Sequence, residues 1–501
     1  MAKGFTTFDW VVLWVYLIAS LGIGVSFYRK HETGKDFFLA GRSMSWFPVA
    51  ISIIATDLSA LSYMGVPSLV YQTDLKYMLG AFLLPLQMIL VTVIFVPLFY
   101  RLNLYTVYAY LELRFNSSTR LFAALLFMGG RGAWMATATY ATALALSEIT
   151  GMSPINAILI CGLSTTVYTF LGGMEAVIWT DFMQFFVLVG GAIAIAAFIL
   201  AGYGGDAREI WAVAKASGHT QMFDFSLSLT KAYTFWGMVV GLLVFQVSSY
   251  ATDQVIVQRY FTTKNLRETV KAVIGSSLIV LPVLLLLYGI GIGFVAYYHD
   301  HPELKATLSN ADRVMPHFTV NILPVGFRGL VIAGIFAATM SSISSGINSL
   351  TTSTIKDFLE RVNPRISSHD LFWARLVSIG WGLVATFGAL SMINSHLTII
   401  EKFASTYQFF AGPLVGIFLL GVLTKRASAW PVTVSAAVGF LAAAASARFS
   451  PIHWLWYAPV GCLVTLILGY VASLLFRQAN LTEAGKYTLL GSQGLAAEPV
   501  E

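Results

Sequence analysis

Charge is what this sequence has least of. Only 11% of its 501 residues are Asp, Glu, Lys or Arg, against about 25% in a soluble globular chain. So few charges cannot cover a water-soluble fold of this size, whereas lipid solvates apolar surface directly. A mean hydropathy of +0.75 points the same way. Cysteine is nearly absent. Cys161 and Cys462 both lie in apolar runs, read as buried small hydrophobes, and their spacing suggests neither a metal site nor a redox motif. The eight histidines are scattered, several near loops (His219, His299, His301, His317), with no catalytic or metal-ligand spacing. That disfavours a membrane enzyme. No basic block with interleaved aromatics accompanies the net charge of +6, so nucleic acid is not an expected partner.

What the chain has is apolar runs of about bilayer length. They fall at about 8–28, 45–71, 75–100, 121–149, 154–171, 175–203, 233–258, 272–298, 325–356, 371–393, 401–424, 429–447 and 453–476. The expected architecture is therefore an all-α membrane protein of about thirteen transmembrane helices. The first run is followed by Arg29 and Lys30 rather than by a small-residue cleavage site, as at the end of a retained span.

The loop charges test the count. Arg29, Lys30, Lys35 and Arg42 follow the first span, and Arg101, Arg114 and Arg120 the third. Arg259, Lys264, Arg267 and Lys271 follow the seventh, and Lys356, Arg361 and Arg365 the ninth. Lys425 and Arg426 follow the eleventh, and Arg477 the thirteenth. With alternating spans these basic loops share one side, which the positive-inside rule makes cytoplasmic. The N-terminus is then outside and the C-terminus inside. Residues 1–476 read as a single transmembrane domain. Residues 477–501 read as a cytoplasmic tail, polar and Gly-rich from Leu481. No signalling domain is expected after residue 477, which disfavours a transporter-like sensor.

Span two, Trp46 to Pro67, carries Ala55-Thr56-Asp57-Leu58-Ser59 at mid-depth. A carboxylate inside the membrane marks function or a pairing partner. With hydroxyls and Gly65 nearby and Pro67 downstream, a broken helix is expected, exposing carbonyls and helix ends that bind ions. The alternative is a kinked helix whose Asp57 pairs with a neighbour. The triplet Ala-Thr-Asp returns at 251–253 in span seven, the corresponding first helix if spans 2–6 and 7–11 are inverted repeats.

Span nine contains Ser341, Ser342, Ser344 and Ser345. Ser341, Ser344 and Ser345 share one helix face at i, i+3 and i+4. Such hydroxyls suit a monovalent cation, since calcium would want several carboxylates. They suit close helix packing equally well. Asp181 is a further intramembrane carboxylate, in the early part of span six. Arg131, about one-third into span four, needs a carboxylate or water. Its planar fork fits a carboxylate on a solute or on Asp57.

These segments together resemble the sodium/solute symporter family. The resemblance rests on Ala55 to Pro67, Thr106 to Phe115, Gly172 to Gln184 and Ser341 to Ser345, with Thr252 to Tyr260 and Gly412 to Gly416 in support, and covers about residues 8–476. It implies an inverted-repeat, five-plus-five helix core, at about 45–203 and 233–424. It also implies a sodium site at Ala55, Leu58, Ala338, Ser341 and Ser342, and a second at Asp181, Ser341, Ser344 and Ser345. Two sodium ions, transported rather than resident, are thus expected. The appearance is closest to the bacterial sialic acid transporter branch, where Arg131 matches the arginine that holds the carboxylate. The expected solute contacts are Asp57, Ser59, Ser62, Tyr77, Ala81, Arg131 and Gln254. Asp57, Tyr77 and Ala81 depart from that branch, which has a neutral hydroxyl residue, a phenylalanine and an amide there.

The expected function is sodium-coupled import of a small organic solute, a carboxylate or sugar acid such as sialic acid, by alternating access. A neutral sugar, polyol, vitamin or amino acid is the alternative solute. The alternative class is a channel, which would line a continuous pore with polar residues rather than gather them at one depth. Partners are the solute, sodium and the bilayer, with no obligate protein partner.

Overall fold

A computed structural model describes residues 5–28, 34–393, 399–475, 485–489 and 491. Most of the expected tail at 477–501, and the loop charges Arg29, Lys30 and Arg477, lie outside the described residues. Among the described residues the chain is helical, and its only β contact is an isolated bridge between Met44 and Thr263.

The main helices, in chain order, begin with α1 (Thr7–Tyr28), α2 (Trp46–Asp57), α3 (Ala60–Gln72), α4 (Leu79–Ile94) and α5 (Ser117–Thr150). Then come α6 (Pro154–Gly202), α7 (Phe235–Val247), α8 (Gln254–Tyr260), α9 (Leu266–Asp300) and α10 (Phe327–Ser353). The last are α11 (Asp370–Ser391), α12 (Ile399–Leu423), α13 (Ala429–Phe449) and α14 (Tyr457–Leu475). Among the described residues, ten helical segments are long and apolar enough to cross a membrane, or eleven if α2 and α3 form one bent span. The expected spans at 154–171 and 401–424 give shorter apolar helices, Pro154–Val167 and Tyr407–Leu423. The first of these runs into the rest of α6 through Gly173, whose φ of 55° breaks the helical path.

α10 is the central helix. In its most apolar window 94% of residues are buried, against 22% in α1. α1 presents Trp14, Val15 and Ile18 outward, where lipid would meet them. Small residues let neighbours reach α10 closely. At Gly346 an added Cβ would meet the sulfur of Met135 on α5, so a larger residue there would make that side chain shift.

Among the described residues, two helices are interrupted at an Ala-Thr-Asp triplet. α2 stops at Leu58 (φ −78°, ψ 77°), and the extended Ser59 starts α3 by accepting a hydrogen bond from the Leu61 amide at 3.2 Å. The two halves meet at a bend of 58°. The break lies before Gly65 and Pro67, and the serine cap sets it. α7 likewise passes into one π-helical turn, Ser248–Thr252, and stops at the extended Asp253. The Asp253 carboxylate caps α8 by accepting from the Val255 amide at 2.8 Å.

The Thr106–Phe115 segment holds helix ends together. Arg114, buried, donates to the carbonyls of Gly421 (3.1 Å), Thr424 (2.6 Å) and Ala427 (3.4 Å) at the end of α12. Gly421 lies in the last turn of α12, and Thr424 and Ala427 follow it before α13, so these carbonyls need a partner from outside a helix.

Candidate functional site

Hydroxyls of α10 meet the carbonyls at the α2 break. Ser341 Oγ lies 2.7 Å from the Ala55 carbonyl oxygen and 3.2 Å from that of Ala338. Ser342 Oγ lies 2.8 Å from the Thr56 carbonyl oxygen and 3.1 Å from that of Ala338. Leu58, the remaining member of the first expected ion set, is the residue at which α2 stops. The gathered oxygens are buried and neutral, donor chemistry for a hard monovalent cation rather than for calcium.

The second expected set is assembled differently. Asp181 Oδ2 accepts from Ser52 Oγ at 2.6 Å and from Thr56 Oγ1 at 3.3 Å, and Thr56 Oγ1 lies 3.1 Å from Ser345 Oγ. Ser344 Oγ donates to the Ser341 carbonyl of its own helix at 3.1 Å. Ser341 faces Ala55. The reading from sequence placed Arg259 among the loop charges after span seven and gave it no role here; the structure corrects that. This arginine of α8 is fully buried and places Nη2 2.8 Å from Asp181 Oδ2. Nη2 also donates to Ser345 Oγ and Thr56 Oγ1.

A cavity of about 170 Å³ opens beside the α2 break. Asp57, Ser59, Ser62, Tyr77, Ala81 and Arg131 all lie on its wall. Gln254 does not, contrary to expectation. It is buried at the start of α8, where its side chain accepts from the Val107 amide (2.8 Å) and donates to the Tyr105 carbonyl (2.9 Å). Buried loop amides and carbonyls need such partners, and Gln254 is committed to them. Gln246 and Ser249, about two turns and one turn earlier on the same broken helix, line the cavity instead.

Arg131 does not bond Asp57. Its Nη2 lies 3.3 Å from Asp253 Oδ2, and its guanidinium sits 4.4 Å from the Trp134 ring centroid. Its Nε is buried with no hydrogen-bond partner among the described residues. Asp253 also accepts from the Tyr407 hydroxyl at 3.2 Å. Asp57 accepts from the Tyr250 hydroxyl at 3.1 Å. Towards Tyr77 the wall becomes aromatic: Tyr77 and Tyr233 meet edge to face at 5.4 Å, with Trp454 beside them. An apolar hollow with a few convergent polar groups fits a small organic ligand. The repeated Ala-Thr-Asp triplet was the available signal for Asp253, and the Thr252–Tyr260 motif was the one for Arg259. Tyr250 and Tyr407 gave none, being aromatics within apolar runs.

The model of the family described as the sodium:solute symporter family matches residues 37–439. The chain belongs to the sodium:solute symporter family. This symporter is 32% identical to the sodium/sialic acid symporter NanT of Aliivibrio fischeri (strain ATCC 700601 / ES114), over 95% of each chain. It is 31% identical to the human sodium-coupled monocarboxylate transporter 1, over 87% of this chain and 72% of that one. Among solved structures it resembles a substrate-bound, outward-open Na⁺-coupled sialic acid symporter described as having a novel Na⁺ site. The TM-score is 0.87 at 31% identity, covering 94% of this chain and 98% of the other. The nucleobase-cation-symport-1 family transporter Mhp1 shares the fold alone, with a TM-score of 0.52 at 15% identity. The symporter is thus a multi-pass protein of the plasma membrane that couples solute import to sodium, and it is a transporter rather than an enzyme.

Proposed function

We propose that the symporter imports an organic acid of the sialic acid class together with two sodium ions, by alternating access. One observation carries the reading: the cavity begins at Thr56, Asp57 and Leu58, where the Ser341 and Ser342 hydroxyls meet the α2 carbonyls. An ion there would fix the broken helix that forms one wall of the solute site. Ala55, Leu58, Ala338, Ser341 and Ser342 hold the first sodium. Asp181 and Ser345 anchor the second, near Ser341 and Ser344. The buried Arg131 Nε supports a carboxylate on the solute, and the sialic acid symporters among the relatives support the class.

The solute site comprises Asp57, Ser59, Ser62, Tyr77, Ala81 and Arg131, with Gln246 and Ser249 in place of Gln254. Asp57 supports a second reading, since a carboxylate held by one tyrosine welcomes a hydroxyl or amine from a neutral sugar, polyol, vitamin or amino acid.

The proposed frame is thirteen spans in one transmembrane domain over 1–476, with inverted repeats at about 45–203 and 233–424. The N-terminus is outside and the tail at 477–501 cytoplasmic. At about 100 mV each sodium charge supplies about 2.3 kcal/mol, and a tenfold gradient adds about 1.4 kcal/mol. Two ions then drive accumulation with roughly 7 kcal/mol, a limit of about 10⁵-fold.

Thermal-shift screening with sodium, followed by uptake into proteoliposomes, tests the reading, because a ligand of the folded state raises its stability. Sialic acid is expected to stabilise the protein only with sodium and to be taken up. Stabilisation by a neutral sugar, polyol, vitamin or amino acid, with none by sialic acid or other sugar acids, would favour the second reading.

A further inference from the structure

The oxygens around Asp181 already enclose a cation belonging to the chain. Arg259 Nη2 has two hydrogens but three oxygen neighbours: Asp181 Oδ2 at 2.8 Å, Thr56 Oγ1 at 2.6 Å and Ser345 Oγ. More acceptors than hydrogens surround this nitrogen, as around a spherical ion. The rest of the guanidinium is anchored separately, Nε on Ser52 Oγ at 2.8 Å and Nη1 on the Val255 carbonyl of its own helix at 2.6 Å. The other carboxylate oxygen, Asp181 Oδ1, is buried and lacks a hydrogen-bond partner among the described residues. Asp181 and Arg259 are both fully buried.

We propose that Arg259 is the exchangeable counter-cation of Asp181, displaced by the second sodium and returning to its place when that sodium leaves. This rests on reading the Asp181 cluster as the second ion position. The reason is charge. A bare carboxylate sealed in the membrane interior is strongly unfavourable, and a symporter must pass through a sodium-free state on each return. Arg259 neutralises Asp181 in that state without leaving the chain. Both cations together would place two positive charges on one carboxylate, and the next carboxylate, Asp253, is matched by Arg131. Occupancy is therefore exclusive. Arg259 ties α8 to Ser52 and Thr56 of α2, Asp181 of α6 and Ser345 of α10. Sodium in its place would keep α2, α6 and α10 joined but release α8, so ion entry becomes a motion of the second broken helix.

Proteoliposomes carrying Arg259→Gln separate the steps. Net uptake needs the empty carrier to return, whereas solute exchange does not. Net uptake is expected to fall about tenfold further than exchange, and half-saturating sodium to drop about threefold or more as the competitor is lost. Arg259→Lys keeps the charge and is expected to restore much of net uptake. If Arg259→Gln does not fold, the lysine variant carries the test through its weaker hold on Asp181, again as lowered half-saturating sodium. Equal loss of both activities, or unchanged half-saturating sodium in the variant that folds, overturns the proposal. The Hill coefficient for sodium tests the underlying site. A value near one that Asp181→Asn leaves unaltered removes the second site itself. A value near two in the wild type leaves the site standing and makes the Arg259 result decide exchange alone.

Discussion

Removing the Ser342 hydroxyl tests the first ion position most directly. Ser342 Oγ lies 2.8 Å from the Thr56 carbonyl and 3.1 Å from the Ala338 carbonyl, with no solvent access. With sodium bound, it would supply one of five oxygens. A hydrogen-bond-like contact to a charged group is worth about 1.5–3 kcal/mol. Ser342→Ala is then expected to raise half-saturating sodium about ten- to hundredfold. Without sodium the same change loses one neutral hydrogen bond, about 1 kcal/mol. The mutant is expected to fold, with its sodium-dependent thermal shift reduced much more than its basal stability. Solute affinity should fall at low sodium and recover at saturating sodium, because the two sites are linked. Ser344→Ala is the control. Its hydroxyl bonds the Ser341 carbonyl of the same helix, so half-saturating sodium should change less than about threefold. Sodium titration of uptake in proteoliposomes decides the matter. Equal effects of the two substitutions, or an unaltered sodium response in Ser342→Ala, would refute the placement.

Arg131→Gln leaves Asp253 buried without its cation and should cost about 3–5 kcal/mol of stability; adding Asp253→Asn should recover most of the thermal stability but not the affinity for a carboxylate solute. Burial pushes the His453 imidazole down to about 4, so the folded state favours the neutral ring; its contribution is complete above the unfolded value near 6.5 and is lost as pH falls towards 4. The melting temperature should therefore drop across that window, and His453→Gln, beside Tyr233 and Trp454, should flatten the drop. At Gly412 a Cβ would collide with the Ala458 carbonyl, so Gly412→Ala should destabilise the α12–α14 contact by about 1–3 kcal/mol, read as a lower melting temperature.

The helical membrane architecture was legible because bilayer thickness imposes a length on apolar runs. The break in α2 was legible for a related reason. A carboxylate and hydroxyls at membrane depth conflict with a plain apolar helix, and Asp57 announces that conflict; the repeated triplet at Asp253 marked span seven without foretelling its break. The Ser341–Ser345 face was visible as a period but not as contacts. Periodicity places Ser344 with Ser341 and Ser345, yet its hydroxyl bonds its own helix. Gln254 was expected at the solute cavity only through the family resemblance, which fixes a position in the chain but not the direction of a side chain on a newly started helix, where each residue turns through about 100°. It points instead to Tyr105 and Val107.

Sequence alone established that this chain spans a membrane, pointed to one interrupted helix at Ala55–Ser59, and marked hydroxyls and carboxylates within the spans. Lipid thickness and the cost of buried polar groups act on local stretches, so local residues report them. Which charge meets which was decided only by tertiary structure. Arg131 had Asp57 as its candidate partner in the protein and found Asp253, and Asp181 received Arg259 from a helix 78 positions away. Long side chains reach across several helices, and the desolvation cost that makes each pairing obligatory does not specify the partner. The packing of α2, α5, α6, α8 and α10 specifies it.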